Sequence, residues 1–501
     1  MTISLKGVSA LLVAAALLLS ACDGNNGQAP AAGDRSAKPT EQAVELNVAF
    51  PIFRAVPKDL PLVQDSINKI AQEKINATVK LIPISYGNWD QQVNLMLSSE
   101  DKLDLMFVEA NNYSNYVAKG QLVALDQLLE QHGQGIQKAL DPVYLKAARI
   151  SGAIYGIPTV RDFANNHGFT MRQDLADKYH IDVSHIRTLD DVEAVLKTIK
   201  ANEPNVAPLI PGNIGRSMLD SYHTFDTLGD SIGVLPNYDN NFKVVNLYES
   251  QEYAQFLQKM RSWYTQGLIQ KDAATNKTSQ FDLIRFNRGF SYFSNMKPGF
   301  EQQESKSSGV AVVTASLLPP VSTTSNVTSV MWGIPVNSRT PDKAMDFLNL
   351  MYSDKEIVNL FDWGIEGKHY VSHSDNVIDF PHGIDAQTSG YSLNLGWLFG
   401  NQFLSYVFKG SDPTIWQQMD EFNRSAIKSK ALGFTFDASP VKTEYAAVSN
   451  VVTEYKLPLE MGSVDPDKIL PEFISKLKSA GIDKIIAEKQ KQLNEWAKNN
   501  K

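Results

Sequence analysis

Hydrophobic and polar positions alternate in the first strongly patterned stretch of the body of this chain. Val44, Leu46, Val48 and Phe50 form one face of an extended segment, with Pro51 as its expected end. Leu62, Ile67, Ile70 and Ala71 then recur at helical spacing and predict a helix over Pro61–Lys74. Thr78–Ile84 predicts a second strand. The 89–98 stretch, with Val93, Leu95, Met96 and Leu97, predicts a second helix, and Leu103–Val108 a buried third strand. Strand, helix, strand, helix, strand is the pattern of an α/β unit with a parallel sheet. A short helix over Leu122–Gln131 follows, with Leu125, Leu128 and Leu129 inward.

Later periodicities are equally clear. Tyr253, Phe256, Leu257, Met260 and Tyr264 mark a helix that Gly267 closes. Gly289–Ser294 reads as a strand running into a polar turn over 295–299, and Val310–Thr314 as another strand. Thr340-Pro341 opens a helix with Ala344, Phe347, Leu348 and Met351 inward. Ser353 with Glu356 predicts a capping box for the next helix, which Gly364 ends. Two final helices, about 466–479 and 482–498, are separated by Ala480-Gly481.

The extreme N-terminus has a different pattern. Lys6 precedes an apolar run from Val8 to Leu19, and Ser20-Ala21-Cys22 follows. The run is too short for a permanent membrane span and suits the apolar region of a secretory signal. Small residues directly before a cysteine look like a bacterial lipobox, so residues 1–21 are expected to be cut away. Cys22 is then expected to carry the acyl chains, two or more of which anchor stably. Residues 22–43 are rich in Gly, Ala, Pro, Asn and charge, and read as a flexible linker. Such a tether holds its globule on the order of 25 Å from the membrane. The expected location is the outer face of the cytoplasmic membrane.

Composition narrows the chemistry. Cys22 is the only cysteine, so no thiol is left for disulfides or nucleophilic catalysis. The formal charge of −8 becomes −9 once Lys6 leaves with the signal, which argues against nucleic acid as a partner. The body of about 460 residues exceeds one ordinary core, so two lobes are expected. None of G-x-S-x-G, H-E-x-x-H, G-x-x-x-x-G-K-[ST] or G-x-G-x-x-G occurs. His369 and His373 read as loop histidines. No metal, cofactor or catalytic residue is expected, although two opposed carboxylates for glycoside hydrolysis would leave no spacing signature.

Several landmarks carry a resemblance. Tyr155-Gly156-Ile157-Pro158 resembles the hinge crossing of extracellular solute-binding proteins of carbohydrate ABC importers. Met331–Pro335 followed by Pro341–Ser353 resembles the return crossing and its helix. Trp363–Tyr370, Gly396–Phe403, Ala431–Asp437 and Ala480–Trp496 are similar to a YtcQ/LplA-like lipoprotein subgroup with a distinctive C-terminal region. The resemblance implies an α/β, two-lobed periplasmic-binding-protein-like fold (type II), closing by hinge motion around its ligand. By these landmarks the first lobe is expected to hold 44–158 and 328–375, and the second 159–327 and 376–501. It further implies a monomeric receptor that hands a carbohydrate, an oligosaccharide above all, to permease subunits. A peptide or other small metabolite in the same fold, and a lipoprotein glycosidase, stay open as alternatives.

Sugars offer apolar faces for aromatic rings and hydroxyl pairs for planar polar groups. Residues of those types that follow strands or crossings are therefore the candidate ligand contacts. They are Trp89, Glu109, Asn111 and Tyr113; Arg161, Asp162 and Lys297; and Trp332, Trp363, Glu366 and Trp397.

Overall fold

The computed structural model describes residues 43–99 and 101–500. The expected signal peptide, Cys22 and the linker up to residue 42 lie outside the described residues. In chain order the strands of the two principal sheets are β1 (Val44–Ile52), β2 (Ala77–Ser85), β3 (Leu105–Val108), β4 (Ile157–Pro158), β5 (Asn166–Arg172), β6 (Ala207–Leu209), β7 (Gly289–Met296), β8 (Val312–Ser316) and β9 (Met331–Gly333). The helices that matter below are α1 (Leu60–Ile75), α2 (Trp89–Ser98), α3 (Ala110–Ala118), α4 (Gln251–Thr265), α5 (Thr324–Thr328), α6 (Pro341–Ser353), α7 (Lys355–Trp363), α8 (Lys442–Glu460), α9 (Pro466–Ala480) and α10 (Ile482–Asn499).

The first sheet has the order β2-β1-β3-β9-β4, with β1 parallel to β2 and β3, and β9 antiparallel to both its neighbours. Strand β1 continues through Pro51, where it was expected to stop. It pairs with β2 as far as Ile52 and Ser85, whereas β3 meets it only at Val48 and Ala49. The ring therefore faces an unpaired edge on the β3 side and breaks no ladder bond there. The second sheet has the order β8-β5-β7-β6. The chain leaves the first sheet at β4 and returns at β9, and the two crossings lie side by side through Met331–Pro158 and Trp332–Ile157 pairs. Strand β7 runs on through Asn295 and Met296, which pair with His167 and Asn166 where a turn was expected.

Each sheet has its own core. The first gathers β1–β3, α1, α6 and α7, and takes in Tyr391, Leu398 and Phe399 from beyond the 376 boundary drawn from the sequence. Those residues belong with the first lobe because their side chains pack into its core, Phe361 and Phe399 stacking at 4.4 Å. The second core joins Phe169 and Phe293 to α4 and to Val448, Leu459, Phe473 and Ile485 of the last three helices. Helix α7 is capped by Asp354, whose carboxylate accepts the Glu356 and Ile357 N–H groups at 2.9 and 3.1 Å; Ser353 does not cap it. Gly364, at φ 85°, ends it, and Gly481, at φ 98°, separates α9 from α10.

Candidate functional site

The parallel strands of the first sheet all end on one edge, and each is followed by a side chain suited to a ligand. Phe53 follows β1, Tyr86 follows β2 and Glu109 follows β3. Phe53 is 50% exposed and Tyr86 43%, unusual for large rings. Their centroids lie 5.0 Å apart, and Trp397 stands 5.8 Å from Phe53. The Arg161 guanidinium sits over the Trp397 ring at 5.6 Å. The Tyr86 hydroxyl donates to Glu109 Oε1 at 3.0 Å. An open aromatic platform bordered by charge thus lies at the carboxyl edge of the sheet, where α/β folds place ligands.

The facing wall comes from the second lobe. Glu109 and Ala110 share a cavity of about 420 Å³ with Arg216, Asp220, His223, Phe225 and Asp230, and with Ser325, Ser329 and Lys456. Arg216 and Asp220 also line a neighbouring 610 Å³ cavity that reaches Asn295. Asn295 in turn lines a 290 Å³ cavity with Asp162, Lys297 and Asn326. The shared residues set these three cavities next to one another as a polar groove lined in segments. Within it Asp162 is held from both sides, by Arg161 Nε at 2.7 Å and Lys297 Nζ at 3.2 Å. Burial pushes the Asp162 carboxyl up, but the two cations outweigh it and hold it below the usual range. Asp220 behaves alike: burial opposes its charge, and Lys456 at 2.6 Å more than restores it.

Beneath the groove two imidazoles lie with ring centroids 4.4 Å apart, His167 fully buried and His223 on the cavity wall. Burial lowers His167 to about 4 and His223 to about 3, so both are neutral at pH 7. The partners that oppose this lowering are weak beside it: the Ser221 backbone and Asn295 side chain for His167, and the Phe225 backbone for His223.

Glu109, Arg161, Asp162, Lys297 and Trp397, expected from the sequence, therefore meet along the groove or on its aromatic rim. Asn111 lies in the first turn of α3, beside Glu109 in the chain. Four expected contacts are core residues instead. Trp332 has no exposed surface, and its indole N–H donates to the Leu398 carbonyl at 2.7 Å. It stands in β9, between β3 and β4. Trp89 faces the sheet from the first position of α2, edge-on to Phe107 at 5.5 Å. The Tyr113 hydroxyl donates to the Ala148 carbonyl at 2.6 Å and accepts the Tyr155 N–H at 3.0 Å. The Trp363 indole donates to Ser405 Oγ at 3.0 Å. Glu366 is exposed, but lines a separate 150 Å³ pocket with Tyr370 and Tyr406 that shares no residue with the groove.

Phe53, Arg216, Asp220, His223 and Lys456 were not anticipated. Phe53 had a signal, since it follows β1 as Glu109 follows β3. The others lie in an irregular loop or on a helix face, where periodicity says nothing about ligands.

Comparison with known proteins adds three findings. The model of the family described as bacterial extracellular solute-binding protein matches residues 61–357, and a domain of unknown function (DUF3502) matches 430–498. A carbohydrate ABC transporter substrate-binding protein of Streptococcus pneumoniae serotype 4 is 30% identical over 503 residues, 98% of each chain. The crystal structure of NgtS, an N-glycan transport solute-binding protein from Streptococcus pneumoniae, superposes with a TM-score of 0.81 at 28% identity, covering 91% of this chain and all of that one. Against NgtS in complex with Man1GlcNAc and Man5GlcNAc the score is 0.70 and 0.68, over the same 91% of this chain and 99% of each complex chain.

Proposed function

Since this chain belongs to the bacterial extracellular solute-binding protein family, we propose that it is the receptor of a carbohydrate ABC importer and takes an oligosaccharide into the groove between its lobes. The observation that carries this reading is the platform of exposed Phe53 and Tyr86 with half-buried Trp397, joined through Glu109 to the polar cavity lined by Arg216, Asp220 and Lys456. Aromatic faces receive the C–H surfaces of successive sugar rings, and an open groove suits a chain of them better than a closed pocket suits one. Asp162 and Asp220, kept ionised by their cations, accept hydroxyl protons. Arg161, Lys297 and Arg216 donate to ring and hydroxyl oxygens. Glu109, oriented by Tyr86, does the same from the first lobe.

Closure follows from the architecture. The chain passes between the two cores at the adjacent crossings β4 and β9 and again between Phe399 and Val448, so a small rotation about these segments moves one wall against the other. The closed form would engage the permease. Anchoring through Cys22 on the outer face of the cytoplasmic membrane completes the proposal. Among the described residues no helix is long and apolar enough to cross a membrane.

The test is a thermal-shift screen of the mature chain with Man5GlcNAc, monosaccharides and short peptides, followed by recovery of the ligand. A glycan at 100 times its dissociation constant adds about 2.7 kcal/mol of stability. Stabilisation by peptides alone would refute the carbohydrate assignment, and recovery of shortened glycan would make the protein a hydrolase.

A further inference from the structure

The loop from Arg216 to Ser231 supplies most of the second-lobe wall of the 420 Å³ cavity, yet has little regular structure of its own. Leu228, Gly229 and Ser231 all adopt positive φ, at 47°, 98° and 63°. Left alone, such a loop would sample many conformations and present no fixed surface.

It is pinned instead at both ends, each time from the C-terminal helices. The fully buried Glu460, at the end of α8, accepts hydrogen bonds from Ser217 Oγ and from the Tyr253 hydroxyl, the latter at 3.1 Å. One turn earlier Lys456 pairs with Asp220 at 2.6 Å and itself lines the cavity. At the other end Lys489 of α10, with no exposed surface, pairs with Asp230 at 2.5 Å and donates to the Gly233 carbonyl at 3.2 Å. The same segment reaches the opposite wall. Thr324 Oγ1 donates to the Ala431 carbonyl at 3.1 Å and accepts the Gly433 N–H at 2.8 Å. Thr324 opens α5, whose Ser325 lines the cavity.

We infer that the 430–498 segment, matched by a domain family of unknown function, frames the ligand groove: it fixes the 216–231 loop opposite α5 and contributes Lys456 as a ligand-facing cation. A buried lysine–aspartate pair is a poor source of net stability, since well-packed apolar residues of similar volume do as well or better. What an apolar substitute would lose is the position of Asp230, and with it the loop. Lys489 and Glu460 are thus positioning residues, and only Lys456 faces the ligand. That last clause rests on the functional reading above; the framing of the loop does not.

Hydrogen exchange on ligand-free Lys489→Met tests the framing. Amides over 226–234 are expected to exchange at least ten-fold faster than in the parent, with β1–β3 unchanged. Unchanged exchange in the loop, or a uniform rise over both cores, would overturn the inference. Should this variant not fold, Asp230→Asn is measured in the same way. Lys456→Met is expected to weaken Man5GlcNAc binding at least ten-fold, measured well below its own thermal midpoint, with Lys456→Arg recovering most of it. Lys484→Met, which breaks an exposed pair with Glu444 on the same segment, should change neither affinity nor loop exchange. Equal affinity of Lys456→Met and parent would remove Lys456 from the site. If the parent itself binds no glycan, the functional reading fails, and loop exchange still decides the framing.

Discussion

Replacing Trp332 with alanine separates a core role from a binding role more sharply than any other substitution. The side chain is fully buried between β3 and β4, 6.1 Å from the Phe399 ring, and its N–H is bonded to the Leu398 carbonyl. Removing a buried indole costs about 3–5 kcal/mol through lost transfer energy and the cavity left behind. The Leu398 carbonyl keeps the hydrogen bond it accepts from the Thr159 hydroxyl at 3.3 Å, so it adds little to that cost. A cost of about 3–5 kcal/mol is a large share of the 5–15 kcal/mol that typically separates folded from unfolded states. Urea unfolding followed by circular dichroism should therefore show a much lower midpoint for Trp332→Ala. Glycan titrated below the unfolding transition should still bind with close to parental affinity. Trp397→Ala should show the reverse, a dissociation constant raised about ten-fold, or 1.4 kcal/mol, with a small change in midpoint. A Trp332→Ala protein as stable as the parent but unable to bind would refute the assignment of Trp332 to the core.

Phe53→Ala should weaken glycan binding by about 1 kcal/mol in calorimetry while leaving the urea midpoint in place, because half of that ring is already exposed. Glu460 has its pKa raised to about 7 by burial, only partly opposed by Lys456 and the Ser217 hydroxyl. Its contribution to stability is fully present below pH 4.5 and is lost as pH rises through 7, on the order of 3 kcal/mol. Glu460→Gln should flatten that limb in midpoints measured at pH 5, 6 and 7.5. His167 works with the opposite sign: lowered to about 4 by burial, it supports the fold above pH 6.5 and ceases to do so as pH falls through 4. His167→Leu should therefore soften the acid limb of midpoints measured at pH 4, 5 and 7.

Elements with one clear period were legible in the sequence, as β1, α1, α4 and α10 show. Where the chain followed two rules at once the reading slipped. Pro51 breaks most strands but rests on an open edge here, and Asp354 took the capping role that Ser353 also suited. Helix α8 has no clean stripe, because its length is shared among the second core, Pro458 and the groove. In the site, the charged crossing residues Arg161 and Asp162 were readable from their position after the hinge tetrapeptide. Tryptophans were not, because an indole suits a sugar and a core equally. Trp332 and Trp397 are told apart only by which neighbours cover them.

The pins on the 216–231 loop also order events in time. Ser217 and Glu460 are 243 residues apart, Asp220 and Lys456 236, and Asp230 and Lys489 259. Contacts of such separation form late, after the local pairing of β1, α1 and β2. A chain emerging N-terminus first can bring Phe53 and Tyr86 together early, but Trp397 joins them late and the opposing wall waits for the last helix. Capture competence is then a property of the finished chain, and a nascent or truncated receptor holds only half a grip.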